Sequence, residues 1–189
     1  MPPPAIPGVY SLTFVDWLAS PQDGLGREII DGELFLTPPP NITHQRVSRD
    51  IRFRIHHWLL QSKMGEVFNP PVGLRLSDQD VFEPDLFVVL LGGKAEIADR
   101  AVLGPADVAI EILSPGTARR DLTTKRKAYE SFGVREYWIV DPEAQAIEVL
   151  ALESATYARR GIYRRTETLA SGVLAGFALV LAEVFPARP

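Results

Sequence analysis

The chain has 189 residues, 46% of them hydrophobic and 23% charged, which is enough for one substantial folded unit and too few for two ordinary ones. Its 20 Lys and Arg against 24 Asp and Glu give a net charge of −4, so a generally basic nucleic-acid coat is not indicated. The absence of cysteine excludes disulfides, a thiol nucleophile and thiolate-bound metal centres. Any metal must therefore be held by oxygen or imidazole. The longest fully apolar runs, residues 86–91 and 177–182, are far short of the ~18 residues of a membrane span. The opening Met1-Pro2-Pro3-Pro4 lacks the pattern of an export signal. One domain over residues 1–189, in the cytoplasm and away from membranes, is the expectation.

Taken in chain order, Ile29-Ile30, Asp31-Gly32 and Glu33-Leu34-Phe35-Leu36 predict a β-hairpin over residues 28–36, because Asp-Gly accepts the positive φ angles of a tight primed turn. Pro38-Pro39-Pro40 ends it. Over residues 44–62, Val47, Ile51, Ile55, Trp58 and Leu59 fall on one face of a helix. Residues 66–76 hold Val67, Val72, Leu74 and Leu76 around Pro70-Pro71, a pattern that suits an edge strand or bulge. Residues 81–91 and 106–113 are short, β-branched apolar runs, each read as a strand buried on both faces, with a charged connection at 94–100 between them. A helix over 121–132 follows, with Asp121 at its N-terminus and Gly133 as its left-handed terminator. A strand over 134–140 stops at Asp141-Pro142, and β segments near 146–150 and 162–166 lead to an apolar close at Phe185. The predicted class is α/β. Its core, residues 43–142, runs helix, three strands, helix, strand, followed by a C-terminal β extension over 145–186.

Charge is unevenly placed along these elements. Residues 44–63, 119–127 and 159–165 each carry +4, leaving −16 on the rest of the chain. The first island includes Arg46 and Arg49, the second Arg119 and Arg120, and the third Arg159, Arg160, Arg164 and Arg165. Such a stripe reads either as a solvated helix face or as phosphate-neutralising contacts, which position nucleic acid without reading its sequence.

Several chemistries are absent. Gly92-Gly93-Lys94 lacks the upstream glycine of a phosphate-binding loop, Gly24-Leu25-Gly26 lacks the third glycine of a dinucleotide fingerprint, and no G-x-S-x-G elbow occurs. What stands out instead is a pair of carboxylates in apolar strands. Alternation places Asp85 with Phe87 and Val89 at a strand entrance, and Glu111 with Asp107, Ala109 and Leu113 on one face of the next strand. A carboxylate inside an apolar strand is costly unless it is paired or binds a metal. Glu111 is therefore either half of an ion pair with a nearby Lys or Arg, or a ligand, and Asp85 is either a turn residue after Pro84 or its companion. Two carboxylates on adjacent strands suit Mg²⁺ or Mn²⁺, whose remaining positions take water and phosphate oxygens.

The ordered set Glu28-Ile29-Ile30-Asp31-Gly32-Glu33-Leu34, His44-Gln45, Pro84-Asp85, Glu111-Ile112-Leu113-Ser114-Pro115, Asp121 with Lys125 and Tyr129, and Gly133-Val134-Arg135-Glu136-Tyr137-Trp138-Ile139-Val140-Asp141-Pro142 resembles the PD-(D/E)XK, or restriction-endonuclease-like, nuclease superfamily. It is most similar to a widespread bacterial endonuclease family formerly classed as a domain of unknown function. The likeness spans residues 10–186. It implies a Mg²⁺- or Mn²⁺-dependent endonuclease acting on DNA, with Asp85, Glu111 and the Ile112 carbonyl as metal ligands. The lysine expected two residues after the glutamate is replaced by Leu113, and the resemblance implies that Lys125 on the following helix takes its place. The plainer reading of Lys125 is a solvated helix face or a pair with Asp121, one turn away. Glu33 and His44 are candidates for a second-site carboxylate and a phosphate contact, with exposed-hairpin and helix-entry readings beside them. His56 and His57 are expected at the helix's core boundary, and Tyr129, Tyr137 and Trp138 in the core or at an interface. Cleavage of two strands points to a homodimer or higher homo-oligomer. The rival to catalysis, consistent with Leu113, is a binding module that keeps the nuclease scaffold; a third reading is action on branched DNA or RNA.

Overall fold

A computed structural model describes residues 11–21, 23–114 and 121–185; of Asp121 it describes the backbone. In chain order the elements are α1 (Phe14–Leu18), β1 (Gly26–Ile30), β2 (Glu33–Thr37), α2 (Ile42–Ser62), β3 (Gly65–Phe68), β4 (Gly73–Arg75), β5 (Val81–Phe82), β6 (Leu86–Leu90), β7 (Glu96–Ile97), β8 (Ala101–Leu103) and β9 (Val108–Ile112). A π-helical turn, Asp121–Lys125, runs into α3 (Arg126–Phe132), which is followed by β10 (Glu136–Asp141), β11 (Ala146–Glu153), β12 (Thr156–Arg164), β13 (Thr168–Ala170), β14 (Ala178–Val180) and a 3-10 turn at Leu181–Glu183.

The central sheet has the order β12-β11-β10-β9-β6-β3. Its β9–β10 pair is parallel, with α3 in the crossover, and β3, β6 and β9 pair antiparallel. This is the predicted helix, three strands, helix, strand. All five residues of β6 and all five of β9 are buried, because both faces of the sheet are covered. On one face Leu86, Val88, Val108, Ile110 and Ile112 pack against Val47, Ile51, Ile55 and Leu59 of α2 and against the closing segment through Phe177, Leu181 and Phe185. On the other, Phe87, Val89, Ala109 and Tyr137 meet Tyr129 of α3 and a second six-stranded sheet, ordered β2-β1-β5-β4-β8-β7, through Ile30, Leu74, Phe82 and Val102. Tyr129, Tyr137 and Trp138 are core aromatics, as expected.

Several boundaries differ from the sequence reading. Residues 81–91 are two strands in different sheets, since Pro84 offers no N–H to a ladder and the chain changes sheets at Glu83-Pro84-Asp85. Residues 66–76 divide likewise into β3 and β4 around Pro70-Pro71. The connection at 94–100 contains the short exposed strand β7. The Asp31-Gly32 turn is as expected, with φ of 51° and 77°. The helix α2 starts two residues before His44, where Asn41 caps it by accepting a hydrogen bond from the His44 N–H at 2.9 Å.

Ile51 is fully buried between α2 and the central sheet. Truncation to Ala should cost about 3 kcal/mol, and roughly 6–12 °C in Tm for a chain of this size, measurable by thermal unfolding; an unchanged Tm would show that α2 is not clamped to the sheet.

Candidate active site

The change of sheet at Pro84 builds the site. In the β6–β9 ladder Leu86 pairs with Ile110, so Asp85, one step earlier, stands opposite Glu111, and alternation sends both side chains to the same face. Asp85 Oδ2 accepts two hydrogen bonds, from the Ile112 N–H at 2.8 Å and from His44 Nε2 at 3.0 Å. Since that oxygen belongs to a carboxylate, His44 donates through Nε2. Its Nδ1 is buried with no partner among the described residues, so the ring's hydrogen bonding goes to Asp85. Both bonds fall on Oδ2, and Oδ1 of the same group is engaged by neither.

Glu111 lies under α3. Its Oε1 accepts from Lys125 Nζ at 2.9 Å and from the Tyr129 hydroxyl at 2.7 Å. Lys125 and Tyr129 are four residues apart and reach the same oxygen, the first from the end of the π-helical turn and the second from α3. Burial, together with the Glu111 charge, holds the Tyr129 phenol well above its ordinary pKa, so it remains a donor. Lys125 Nζ also lies 2.8 Å from Glu28 Oε1. Glu28, on β1, accepts the Glu83 N–H at 3.0 Å as well. Glu28, Glu111 and Lys125 are only 2%, 2% and 5% exposed. Of the two readings of Glu111 the structure shows the ion pair, and the partner is the lysine singled out by resemblance.

Two further groups complete the floor. The Glu83 carboxylate accepts the Arg27 N–H at 3.3 Å, yet burial pushes its pKa up to about 7, with the Glu28 charge adding to the rise. The Arg27 guanidinium is turned away onto Asp23 at 2.7 Å, which holds that exposed carboxyl down at about 2. These groups line a cleft of about 1070 Å³ whose walls are Pro38-Pro39-Pro40, residues 20, 21 and 24–28, Pro70-Pro71 and one face of α2.

The structure brings Asp85, Glu111, Lys125 and His44 to this cleft. Glu33 is not among its lining residues: it pairs with Ile30 beside the Asp31-Gly32 turn, at the end of the hairpin, and is exposed there, while Glu28, on the same face two pairs further in, lines the cleft. Glu28 and Glu83 were not assigned roles from sequence, although Glu28 bears the same signal as Glu111, an acid within an apolar strand. On α2, Arg49 and Arg52 line the cleft, while Arg46 is exposed elsewhere on the helix. Arg49 also pairs with Asp50 at 2.7 Å. His56 and His57 are exposed and not at the core boundary, with His56 on the cleft wall. Arg119 and Arg120 lie outside the described residues, as does the Asp121 side chain. The third basic island is occupied locally, by Arg159 with Glu148, Arg160 with Glu153, and Arg165 with the Phe185 carbonyl.

Residues 14–182 match the Uma2 family, described as "Putative restriction endonuclease". The chain belongs to the Uma2 family. No curated protein matches it. Among solved structures it is similar to the crystal structure of a "putative nuclease belonging to DUF820" from Anabaena variabilis ATCC 29413, at 20% identity, with a TM-score of 0.76 over 92% of this chain and 97% of that one. At that identity the likeness concerns the fold, which is restriction-endonuclease-like. No helix among the described residues is long and apolar enough to cross a membrane.

The raised Glu83 pKa fixes the sign of a pH effect. The folded state holds this proton more tightly than the unfolded chain, so the stabilisation is complete below about pH 4.5 and is lost as pH rises through about 7. In metal-free buffer, Glu83→Gln should gain about 1–3 kcal/mol relative to the parent between pH 4.5 and pH 8. Denaturant unfolding at the two pH values measures it, and a pH-independent difference would contradict the assignment.

Proposed function

We propose that this Uma2-family chain is a Mg²⁺- or Mn²⁺-dependent endodeoxyribonuclease whose site is the floor of the cleft. The observation that carries the reading is the contact of Lys125 with Glu111, in a strand pair that sets Glu111 opposite Asp85. Among the described residues no three His, Asp or Glu side chains are arranged as a metal cage. The donor set on offer, two carboxylates and the Ile112 carbonyl, is all oxygen, and it fits a hard ion that takes one or two protein carboxylates and keeps its other positions for water and substrate. A bound ion of this kind lowers the pKa of the attacking water and offsets charge on the scissile phosphate.

The chain's own residues then have distinct roles. Asp85 and Glu111 hold the ion. The Ile112 N–H and His44 fix the Asp85 carboxylate on one oxygen, so that the other is presented in a constant orientation. Lys125, kept by Glu111 and Glu28, places its positive charge where a phosphate gains negative charge. Arg49 and Arg52 neutralise flanking phosphates. A buried lysine on this carboxylate supplies what Leu113 cannot, and this favours catalysis over a binding module that merely keeps the scaffold.

Plasmid and linear DNA should be cut in the presence of Mg²⁺ or Mn²⁺ and left intact with a chelator. Asp85→Ala and Glu111→Ala should each reduce the rate by at least about 100-fold; equal cleavage by all three proteins would overturn the proposal. Calorimetric titration should show Mn²⁺ binding that Asp85→Ala abolishes and His44→Ala weakens about tenfold. Unaltered affinity in His44→Ala would remove its positioning role.

A further inference from the structure

Resting on the nuclease reading, the geometry points to an unpaired DNA strand, and not the interior of an intact duplex, as what the cleft holds. The groups assigned to the chemistry are at the bottom of the cleft: Glu28, Glu111 and Lys125 are 2%, 2% and 5% exposed, and the side chain of Asp85 is 24% exposed. In a duplex each phosphate is flanked by stacked and paired bases. A strand reaches groups so deeply placed once it is lifted out of that stack, and enzymes with recessed sites either take single strands or meet the unpairing cost. The volume agrees. About 1070 Å³ is at the upper end of the range for cavities that enclose small ligands, large enough for more than one nucleotide.

The walls differ in chemistry in the way a single strand requires. On α2, Gln45, Ser48, Arg49, Arg52 and His56 face the cleft at helical spacing, a cationic and hydrogen-bonding wall suited to the phosphate backbone. The lining outside α2 includes Pro21, Leu25 and Pro71, with Leu25 38% exposed, apolar surface suited to bases. Phe53 lines the cleft from α2 and is 60% exposed, with its ring contacts made to His57 and Arg54 of its own helix. A positively charged groove combined with aromatic and apolar platforms is the general arrangement by which single strands are bound without sequence readout. A single exposed Phe is ordinary on a protein surface. What sets Phe53 apart is that it lines the cleft together with Arg49 and Arg52, where an unpaired base can stack on it.

The test uses fluorescein-labelled oligonucleotides with the full chain: a single strand, a blunt duplex of the same sequence, and a duplex bearing an unpaired 3′ flap. Anisotropy with Ca²⁺ in place of Mg²⁺ gives affinities. The single strand and the flap should bind at least about tenfold more tightly than the blunt duplex. Phe53→Ala should weaken binding of the unpaired strand about tenfold while leaving the duplex unchanged, and Arg52→Ala should lower the salt dependence of binding by somewhat less than one unit of slope. Phe53 and Arg52 are exposed, and circular dichroism of both variants should match the parent. Duplex affinity equal to or above that of the single strand, with Phe53→Ala affecting neither, overturns the inference. The same oligonucleotides with Mg²⁺ separate the two claims. Internal cutting of the blunt duplex at least as fast as cutting of the unpaired strand defeats the inference and leaves the nuclease reading standing. Preferential binding of the unpaired strand with no cutting of any substrate supports the inference and defeats the nuclease reading.

Discussion

The Lys125 ammonium, held at 2.8 Å from Glu28 and 2.9 Å from Glu111, is the contact on which the site depends. Each of the three groups is almost fully removed from water, and the loss of hydration is offset only when the charges remain together. The trio joins three separate parts of the fold: β1 of the second sheet, β9 of the central sheet, and the turn entering α3. Two carboxylates against one ammonium leave a negative balance at the floor, and Asp85 adds to it. On the proposed reading a divalent cation offsets that balance, so that the floor accepts a phosphate it would otherwise repel.

The surrounding elements follow from this requirement. The π-helical turn at Asp121–Lys125 alters the helical phase just ahead of α3, and such insertions recur where a helix must direct a side chain at a functional group. Pro84 matters equally. By moving the chain from β5 to β6 it places Glu83 and Asp85 on either side of the crossing between sheets, one beside Glu28 and the other opposite Glu111. The cleft is thus the gap between two sheets and α2, and its floor is where the chain passes from one sheet to the other.

Much of this was legible in the sequence. Alternation put Asp85 on the face of Phe87 and Glu111 on the face of Ala109, which the β6–β9 register then brings together, and the four-residue spacing of Val47, Ile51, Ile55 and Leu59 marked the buried face of α2. Lys125 was reached through resemblance and not through any local signal, since its partner Glu28 is distant in the chain and their contact exists only once two sheets pack. Glu28 and Glu33 stand in the same motif and on the same face of the hairpin, and only the packing of the two sheets separates them: Glu28 is buried against Lys125, whereas Glu33 is exposed beside the turn. The count of charges over residues 44–63, which singled out Arg46 with Arg49, carries no helical phase. Measured from the buried stripe, the phase places Arg49 and Arg52 on the cleft side. Glu83 carried no signal, because its raised pKa arises from burial that only the crossing at Pro84 produces.

The central claim is that Asp85 and Glu111 bind one divalent ion while Lys125 stays anchored beside them. Anomalous diffraction from Mn²⁺-soaked crystals tests it most directly. The account predicts a peak at about 2.1 Å from a carboxylate oxygen of each of Asp85 and Glu111, with Lys125 still hydrogen-bonded to Glu28. A peak elsewhere in the cleft, or Lys125 expelled from the floor when the ion binds, would contradict it.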